Sequence, residues 1–416
     1  MGRGLTLLVE DLCQRRQPLI DAKRRKEILA AHKPDRPFRG EPHLGGWYTE
    51  AEVETIVNTV RASMDWHEGF GFMVEEILNF EREFADFVGV KHCFSINGAG
   101  TGLDMAVMAL ELEPGDEVIV PAINFKAAAM SVAGQGGQIV WCEVDPRTFQ
   151  ADPEDVERRI TPRTRAIFPV HMNGLSAPMD DYFDIAERHP HPKHGPLKVI
   201  GDAARACGGK YKGERIGKKA WMTVFSFHTQ KLMTTLGEGG AVTTDDDGIV
   251  ERLKQIRQFG GADGWGTNYK MTKVQAAVGS VQLRRLDGML EKRRQVARDR
   301  TKMLEGVPEL TLPYEPPDCE HTFYLYTCLV PVEWAGEKRN QLTKIMMEDY
   351  GIGTIVANAP CYQTQEYLRK VTAGQDLPRS DELGARLFCP SIHPLMTKEQ
   401  NEYICAALIE TVERLR

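Results

Sequence analysis

The chain has 416 residues, of which 42% are hydrophobic and 27% are charged, with a formal net charge of −7. This length is too great for one compact core, so we expect one large and one smaller domain. The acidic balance excludes a globally basic surface for nucleic acid, and no apolar run is long enough to span a bilayer. We therefore expect neither a nucleic-acid partner nor a membrane partner.

Nine cysteines are scattered through the chain without any C-x-x-C pair. This pattern indicates reduced thiols in a cytoplasmic protein rather than a disulfide framework or a zinc site. One histidine cluster, formed by His189, His191 and His194, alternates with prolines in a polar stretch. Metal ligands are usually held on firmer elements, so we predict no metal site there.

The first 45 residues are polar and basic, and we assign residues 1–45 to an N-terminal arm with one helix around residues 19–31. Thr49, with Glu52 three residues later, predicts a capping box and hence the start of a second helix. The arm is expected to lead into this helix, which would be the first element of the large domain.

Between about residues 90 and 245, short β-rich runs alternate with helical stretches. The runs are HCFSI, EVIVP, QIVWCEV, RAIFPV, LKVIGD, TVFSF and GAVTT. Strands joined by helical crossovers form a mainly parallel sheet with both faces covered, so we predict an α/β fold. The step from TVFSF to GAVTT is too short for a helical crossover, so a reversed strand or an antiparallel edge is expected there.

The large domain is predicted over residues 46–290 and a smaller C-terminal α+β domain over residues 291–416. A charged helical run over residues 286–305 is expected to bridge them. The smaller domain should contain a strand over HTFYLYTCLVPV and helices over RNQLTKIMMEDYG and KEQNEYICAALIETVERL.

Four segments rich in glycine or polar residues follow strands of the predicted sheet. They are NGAGTG (97–102), PAINF (121–125), GDAARA (201–206) and SFHTQK (226–231). Ligands of open α/β sheets collect beyond the carboxyl ends of the strands, so we expect these segments to converge on one crevice. The hypothesis of an active site depends on this convergence, since no single segment is specific.

NGAGTG follows a strand and opens a helix, which favours an anion site. Glycines let the backbone approach a ligand, and a helix N-terminus presents unpaired N–H groups, so a phosphate could lie against Gly98, Ala99, Gly100 and Thr101. A dinucleotide-binding turn would instead need an acidic residue at the end of the next strand, where this chain has Pro121. A tight turn without a ligand is a third alternative.

Single residues at the other strand ends each have two interpretations. Asp202 could cap a following helix or pair with a protonated ring nitrogen. Phe125 could belong to the core or lie flat on a heteroaromatic ring. Lys231 could be a solvated charge, but it follows a buried strand, with Ser226 and His228 nearby and a glycine-rich turn behind it. A lysine confined in such a site can form a Schiff base.

Longer stretches around these residues resemble a known family. SFHTQKLMTTLGEGGAVTT, the earlier IGDAARACGG and the later GTNYKMTKVQAAVGSVQLRRLD are similar to the DegT/DnrJ/EryC1/StrS aminotransferases. PGDEVIVPAINF and CPSIHPLMTKEQ extend the similarity, which covers about residues 75 to 410. The resemblance implies a pyridoxal 5′-phosphate (PLP) enzyme of the type I aminotransferase fold that aminates keto-sugars and related cyclic ketones.

The resemblance also implies a role for each matching position. Lys231 would hold PLP as a Schiff base and then shuttle a proton, while Asp202 would keep the pyridine nitrogen protonated. The other implied positions are Phe125 and Ala204 on the two faces of the ring, Arg205 beside the ring hydroxyl, Gly98, Ala99, Gly100, Thr101 and Ser226 around the phosphate, His228 near the lysine and substrate, and Asn268 at a phosphate in the neighbouring subunit.

These roles imply the overall reaction. Glutamate or glutamine would donate an amine, and a keto-sugar, a cyclitol ketone or a related ring ketone would accept it, with ping-pong kinetics. The placement of Asn268 implies a homodimer with two shared sites.

The chain departs from the family pattern at four places, of which the last, together with the N-terminal arm, concerns the substrate pocket. Arg205 stands where glutamine is usual, so a cation would alter the electrostatics of the Schiff base unless it turns away. Lys270 replaces the usual arginine after NY and removes a bidentate donor. The phosphate turn is NGAGTGL rather than SGTAAL, and IVANAP lacks the usual His-Tyr-Pro after GIGT. The stretches expected to select the acceptor are 60–70, where Trp66 and His67 could line the pocket or be core and surface residues, 262–267 and 355–363.

Three alternatives are consistent with parts of the sequence. A PLP-dependent sugar dehydratase has the same fold, but such relatives carry histidine in place of the lysine. A nicotinamide-dependent oxidoreductase could use the GAGTG turn, which would leave Lys231 and Asp202 unexplained. A non-catalytic PLP-binding regulator would not require the complete set of catalytic groups found here.

Overall fold

The structure, a computed structural model, describes residues 20–416; the first part of the predicted arm, residues 1–19, lies outside the described residues. The strands are β1 (His92–Ile96), β2 (Glu117–Pro121), β3 (Gln138–Cys142), β4 (Thr164–Ile167), β5 (Lys198–Asp202), β6 (Lys210–Tyr211), β7 (Glu214–Arg215), β8 (Met222–Ser226), β9 (Gly240–Thr244), β10 (Cys319–Glu320), β11 (Cys328–Leu329), β12 (Thr354–Ile355) and β13 (Leu387–Pro390). The helices are α1 (Ala22–Ala31), α2 (Glu50–Ala62), α3 (Glu75–Val88), α4 (Ala99–Met108), α5 (Ala127–Gly134), α6 (Pro153–Arg158), α7 (Met179–Arg188), α8 (Val250–Arg257), α9 (Lys273–Leu304), α10 (Glu337–Glu348), α11 (Cys361–Thr364), α12 (Glu366–Val371), α13 (Pro378–Arg386) and α14 (Lys398–Leu415).

Seven strands form the main sheet in the order β1-β9-β8-β5-β4-β2-β3. From β8 to β3 the neighbouring strands pair in parallel, whereas β9 pairs antiparallel with both β1 and β8. Six strands therefore run in one direction and β9 runs against them. The predicted, mainly parallel α/β sheet is confirmed, and the reversed strand lies inside the sheet rather than at its edge.

Both faces of this sheet are covered, as the near-continuous apolar strands require. All five residues of β2 are buried. Val118 and Val120 share one core with Leu103 of α4, whereas Ile119 packs in another core with Ile185 of α7. Successive side chains of a strand point to opposite faces, so a single five-residue strand anchors a helix layer on each side.

The N-terminal helices begin at the residues that the sequence indicates. Asp21 caps α1, its Oδ1 accepting a hydrogen bond from the backbone N–H of Arg24 at 2.8 Å. Thr49 and Glu52 form the predicted capping box at the start of α2. The two helices flank residues 32–48, a stretch without regular helix.

The bridging helix is longer than predicted. α9 begins at Lys273, after a capping box of Thr272 and Gln275, and not near residue 286. The glycine inside its first half is explained by packing: a Cβ on Gly279 would lie 2.8 Å from Cε2 of Phe80 in α3. The long helix therefore packs closely on α3 at this point. We propose that it also joins the two domains, whose division remains a prediction.

The C-terminal part contains a small antiparallel sheet in the order β11-β13-β12. The strand predicted over HTFYLYTCLVPV is wrong in its first half, because only Cys328–Leu329 pairs as β11. Upstream, Phe323 has a φ of 49°, and the N–H of Thr322 donates to the carbonyl of Gly174 at 2.9 Å. These contacts divert the backbone from the strand. The two predicted helices are present as α10 and α14.

No helix within residues 20–416 combines the length and apolar character needed to cross a bilayer. In the same part of the chain, histidine, cysteine and acidic side chains form no group of three that could hold a metal. His189 instead lies 2.7 Å from the carboxylate of Glu157, and the rings of His191 and His194 are 4.8 Å apart.

Two glycines of α9 provide a matched test of the packing. Gly279→Ala should lower the thermal midpoint, because the added methyl overlaps Phe80 and overpacking typically costs about 1–3 kcal/mol. Gly288→Ala adds the same methyl where no atom lies within 4 Å. This control should raise the midpoint slightly, because alanine favours a helix over glycine by about 1 kcal/mol. A midpoint raised by both substitutions would contradict the close packing of α9 on α3.

Candidate active site

The carboxyl ends of the parallel strands bring the four predicted segments to one edge of the main sheet. Strands β1, β2, β5 and β8 lead into residues 97–102, 121–125, 201–206 and 226–231, respectively. The reversed strand β9 begins at this same edge. The candidate residues therefore lie where ligands of open α/β sheets collect.

The turn after β1 offers a place for an anion. α4 begins directly after Gly98, and no side chain caps it. The N–H groups of Ala99, Gly100 and Thr101 have no carbonyl partner within the helix, as in any first turn. A Cβ on Gly100 would meet no atom within 4 Å, so open space faces the turn. The positive end of the helix dipole is thus accessible to a negatively charged group.

Strand register places Ser226 near this turn. Ser226 on β8 pairs with Gly240 on β9, which pairs in turn with Ile96 on β1. A Cβ on Gly240 would lie 3.0 Å from the backbone nitrogen of Ala99 and 3.1 Å from the carbonyl carbon of Gly98. The glycine lets three strand ends pack against the turn, with the buried Ser226 one strand away from it.

Asp202, the last residue of β5, is buried. Its Oδ1 accepts a hydrogen bond from the backbone N–H of Ala204 at 2.9 Å, and no helix follows, so the helix-cap alternative is wrong. Burial raises the pKa of Asp202, whereas the Ala204 N–H and the charges of Arg205 and Lys231 act in the opposite direction. Its carboxylate forms no ion pair within the described part of the chain. A cationic group of a ligand could supply that pair.

Lys231 lies in the connection between β8 and β9, and its amine is enclosed. Nζ donates a hydrogen bond to the hydroxyl of Tyr324 at 3.2 Å and lies 4.7 Å from the centre of that ring. Burial, followed by the positive charge of Arg205, lowers the pKa of Lys231 to about 8. An appreciable fraction of the amine is therefore neutral, and hence nucleophilic, near neutral pH.

Arg205 does not turn away from the site. Its guanidinium is buried, donates to Oδ1 of Asn358 at 3.3 Å, lies 3.5 Å from Sδ of Met172 and faces the ring of Tyr324 at 5.7 Å. All three neighbours are uncharged, and Nδ2 of Asn358 is itself buried without a partner. The cation therefore has no ion-pair partner among these neighbours, and its positive charge acts on Lys231.

The two residues expected to flank a ring differ in exposure. Phe125 follows β2 and is 54% exposed, so the alternative that it belongs to the core is wrong. Ala204 is partly buried beside Asp202. An exposed aromatic side chain at a ligand-binding edge has a free face on which a flat ligand could stack.

His228 lies between Ser226 and Lys231 along the chain. Its Nδ1 accepts a hydrogen bond from the N–H of Gln230 at 3.3 Å, which leaves Nε2 directed towards Glu238 at 3.9 Å. His228, Lys231 and Glu238 all lie in the loop that connects β8 to β9.

Asn268 is exposed and lies beside the anion turn of its own chain. Its carbonyl accepts from Nδ2 of Asn97 at 3.5 Å, and its Oδ1 accepts from Nζ of Lys270 at 2.7 Å. The ammonium of Lys270 lies between two exposed rings, 5.0 Å from Phe72 and 4.7 Å from Phe259. Two exposed aromatic rings, with a lysine ammonium between them, therefore adjoin the turn.

Of the stretches expected to select the acceptor, one adjoins the sheet edge. Sγ of Cys361 donates to the carbonyl of Asn124 at 3.1 Å, which attaches residues 355–363 to the end of β2. Trp66 is 84% exposed, so the core alternative for it is wrong, and its ring lies 3.7 Å from that of His67.

Sequence reasoning missed three side chains at this edge. Tyr324 contacts Lys231 and donates a hydrogen bond to Glu41, and Asn358 contacts Arg205. Tyr324 and Glu41 lie in segments that no motif singles out. The one local signal is the Gly45–Gly46 pair, because a Cβ on Gly45 would lie 2.1 Å from the carbonyl oxygen of Lys231.

Comparisons with known proteins agree with this geometry. The DegT/DnrJ/EryC1/StrS aminotransferase family model matches residues 50–409. GDP-perosamine synthase of Caulobacter vibrioides is 36% identical over 340 residues, which cover 80% of this chain and 89% of that protein. The dTDP-3-amino-3,4,6-trideoxy-alpha-D-glucose transaminase of Streptomyces venezuelae is 32% identical over 391 residues, covering 92% and 98%.

A solved structure shows the same architecture. The X-ray structure of S. venezuelae DesV in complex with a ketimine intermediate superposes with a TM-score of 0.80 at 31% identity, covering 88% of this chain and 96% of that one. The predicted type I fold is thereby confirmed, as are the predicted family and cofactor. The chain belongs to the DegT/DnrJ/EryC1/StrS family and is a PLP-dependent aminotransferase.

Proposed function

We propose that the chain transfers an amino group from glutamate or glutamine to a keto-sugar, a cyclitol ketone or a related ring ketone, with Lys231 as the group that holds PLP and moves the proton. The observation that supports this proposal is the position of the Lys231 amine. It donates a hydrogen bond to Tyr324 at the carboxyl edge of the sheet, where a buried aspartate and an uncapped helix end also lie.

The residues at this edge suit PLP in charge and in space. The turn of residues 98–101 has unpaired N–H groups and open space for a phosphate. Asp202 is a buried carboxylate without a cation, which suits a protonated ring nitrogen. When bound, PLP supplies an aldehyde that reacts with amines and an electron-poor ring that stabilises negative charge on the adjoining carbon.

Lys231 would act both as the attachment point and as the base. Its lowered pKa favours the neutral amine that attachment requires. Once the amine is released by the incoming donor, it can take a proton from one carbon and return it to another. A single base between the two carbons suffices, since no second acid is required.

Other residues would orient the cofactor. Asp202 would keep the ring nitrogen protonated. Burial raises the pKa of its carboxyl group, while the Ala204 N–H and the charge of Arg205 act in the opposite direction, towards the charged carboxylate that this task needs. Phe125 and Ala204 would flank the ring, and Arg205 would lie beside its hydroxyl. Ser226 would join the N–H groups of residues 98–101 at the phosphate.

We further propose that the active unit is a homodimer with shared sites. The exposed rings around Lys270 would be covered by the partner subunit, since apolar patches of this kind mark interfaces. Asn268, which lies in the same surface, would then reach a phosphate bound in the other subunit. His228 would lie near the substrate in its own subunit.

The names of the relatives support a sugar as the acceptor. One relative is named as a synthase of a GDP-linked amino sugar and another as a transaminase of a dTDP-linked one. A nucleotide-linked keto-sugar is therefore the first candidate. Residues 355–363, attached to the end of β2, would contribute to its recognition.

The alternatives are less well supported. Membership of an aminotransferase family leaves the nicotinamide oxidoreductase and the non-catalytic regulator without evidence in their favour. A dehydratase of the same fold would lack the lysine that this chain has at position 231.

Replacing Lys231 tests its role directly. The wild-type protein should be yellow with PLP, whereas Lys231→Ala should lose the visible band of the lysine-bound cofactor while the phosphate still anchors PLP. Its half-reaction with glutamate or glutamine should slow by about 10³-fold or more, since general base catalysis contributes about 10²–10⁴-fold. Lys219→Ala, which removes a surface lysine paired with Asp180, is the control. Undiminished turnover by Lys231→Ala would overturn the proposed mechanism.

The shared site can be tested by complementation. Lys231→Ala and Asn268→Ala subunits should each be impaired alone, but a heterodimer should contain one site with both native residues. Mixing after mild dissociation should therefore restore activity, measured against each variant mixed with itself. Failure of any verified heterodimer to regain activity would remove the support for Asn268 acting across subunits.

The acceptor class can be found spectroscopically. The amine form of the cofactor, prepared with glutamate, should be offered keto-sugars with and without GDP or dTDP, cyclitol ketones and simple ring ketones. Return of the visible band should occur with a nucleotide-linked keto-sugar, monitored by stopped-flow absorbance. A response to cyclitol ketones alone would redirect the assignment to that class.

A further inference from the structure

A carboxylate from the N-terminal part of the chain reaches the catalytic lysine through one tyrosine. The buried Tyr324 hydroxyl accepts a hydrogen bond from Nζ of Lys231 at 3.2 Å and donates one to Oε1 of Glu41. A hydroxyl has one proton and can also accept. With its proton committed to Glu41, its lone pairs are free to face Lys231.

Glu41 is held in place by the backbone on both sides. Upstream, the N–H of Phe38 donates to the carbonyl of Gly351 at 2.8 Å, and the N–H of Gly353 donates to the carbonyl of Phe38 at 2.7 Å. Downstream, the N–H of Gly45 donates to the carbonyl of Thr229 at 2.9 Å. We call residues 38–46 the N-terminal strap.

The strap lies directly against the backbone of the lysine loop. A Cβ on Gly45 would lie 2.1 Å from the carbonyl oxygen of Lys231 and 2.2 Å from that of Gln230. Thr229 Oγ1 also donates to the carbonyl of His43 at 2.7 Å. No side chain other than hydrogen fits at position 45, so this contact depends on glycine and fixes the position of the strap relative to the lysine.

The charges around Lys231 oppose one another. Burial and Arg205 lower its pKa to about 8, while three carboxylates act in the opposite direction: Glu41, Asp202 and Glu238. Burial, and then Glu41, raise the pKa of Tyr324, so this side chain stays a neutral phenol. Arg205 and Arg293 also act on Tyr324, in the opposite direction.

We infer that Glu41 is a positioning residue of the active site: it fixes the Tyr324 hydroxyl so that its oxygen accepts from Lys231, which holds the amine inward and stabilises its protonated form. This inference rests on the proposed role of Lys231. The N-terminal strap then contributes to the active site through Glu41. A purely structural link would tie down the strap without affecting the protonation of the lysine.

The decisive measurement is the protonation of Lys231 itself. The full-length protein without PLP is labelled with trace acetic anhydride over a range of pH, and the labelled fraction of Lys231 is read by mass spectrometry. Glu41→Gln and Tyr324→Phe should each lower the labelling pKa of Lys231, by about half a unit to one unit, because a carboxylate acting through one hydroxyl has less effect than one in direct contact.

Matched controls separate this effect from general damage. Asp35→Asn removes an exposed carboxylate near the strap, and Tyr326→Phe removes a buried hydroxyl that contacts Thr301 at 2.7 Å. Both should leave the labelling pKa of Lys231 unchanged. If Glu41→Gln does not fold, Glu41→Asp can replace it. Because this substitution keeps the carboxylate charge, the labelling pKa of Lys231 in Glu41→Asp should stay near that of the wild type.

The holoenzyme gives an independent readout. In the half-reaction with glutamate, the acid limb of the rate profile should move to lower pH in Glu41→Gln, with the effect in kcat rather than KM. The sign follows because a base whose pKa falls remains unprotonated at lower pH. The inference would be overturned if Glu41→Gln showed the wild-type labelling pKa of Lys231 and an acid limb at the wild-type pH. The proposed role of Lys231 would then still stand, because Lys231→Ala tests it separately.

Discussion

A single strand that runs against the other six strands of the main sheet brings Lys231 to the edge where we propose that the chemistry takes place. β8 ends at the carboxyl edge of the sheet, and β9 must begin at that edge because it is antiparallel. The connection between them, residues 227–239, therefore begins and ends at that edge. Lys231 lies within it, and Gly240, the first residue of β9, packs against the anion turn. Sheet topology therefore brings the lysine and the turn to the same edge.

The same edge carries buried charged side chains that form no ion pair within residues 20–416. Asp202 and Arg205 are both buried, yet each has only uncharged hydrogen-bonding partners. Buried charges without an ion-pair partner are unfavourable unless a ligand supplies one. A cofactor with a cationic nitrogen and anionic oxygens would meet both needs. Arg205, which differs from the usual glutamine of the family, adds a further effect because it lowers the pKa of Lys231.

Much of this arrangement could be predicted from the sequence, because it is encoded locally. Apolar runs marked the strands of the main sheet, capping residues marked α2, and the short step after TVFSF indicated the reversed strand. Asp202 was predicted at a strand end, but its alternative as a helix cap failed because Ala204 closes a turn there instead. The strand predicted over HTFYLY is absent because Phe323 adopts a left-handed backbone conformation. The sequence pattern of the segment gives no sign of that conformation.

Glu41 and Tyr324 could not be predicted, because the two are 283 residues apart in sequence and meet only in the folded chain. Their contact has a consequence for how the enzyme can diverge. The strand ends that suit the cofactor and the segment that supplies Glu41 are separate pieces of the polypeptide, joined at the lysine loop mainly through backbone atoms. If Glu41 acts on the lysine as we infer, a substitution at position 41 that keeps Gly45 would shift the pH dependence of the reaction and leave the residues at the strand ends unchanged.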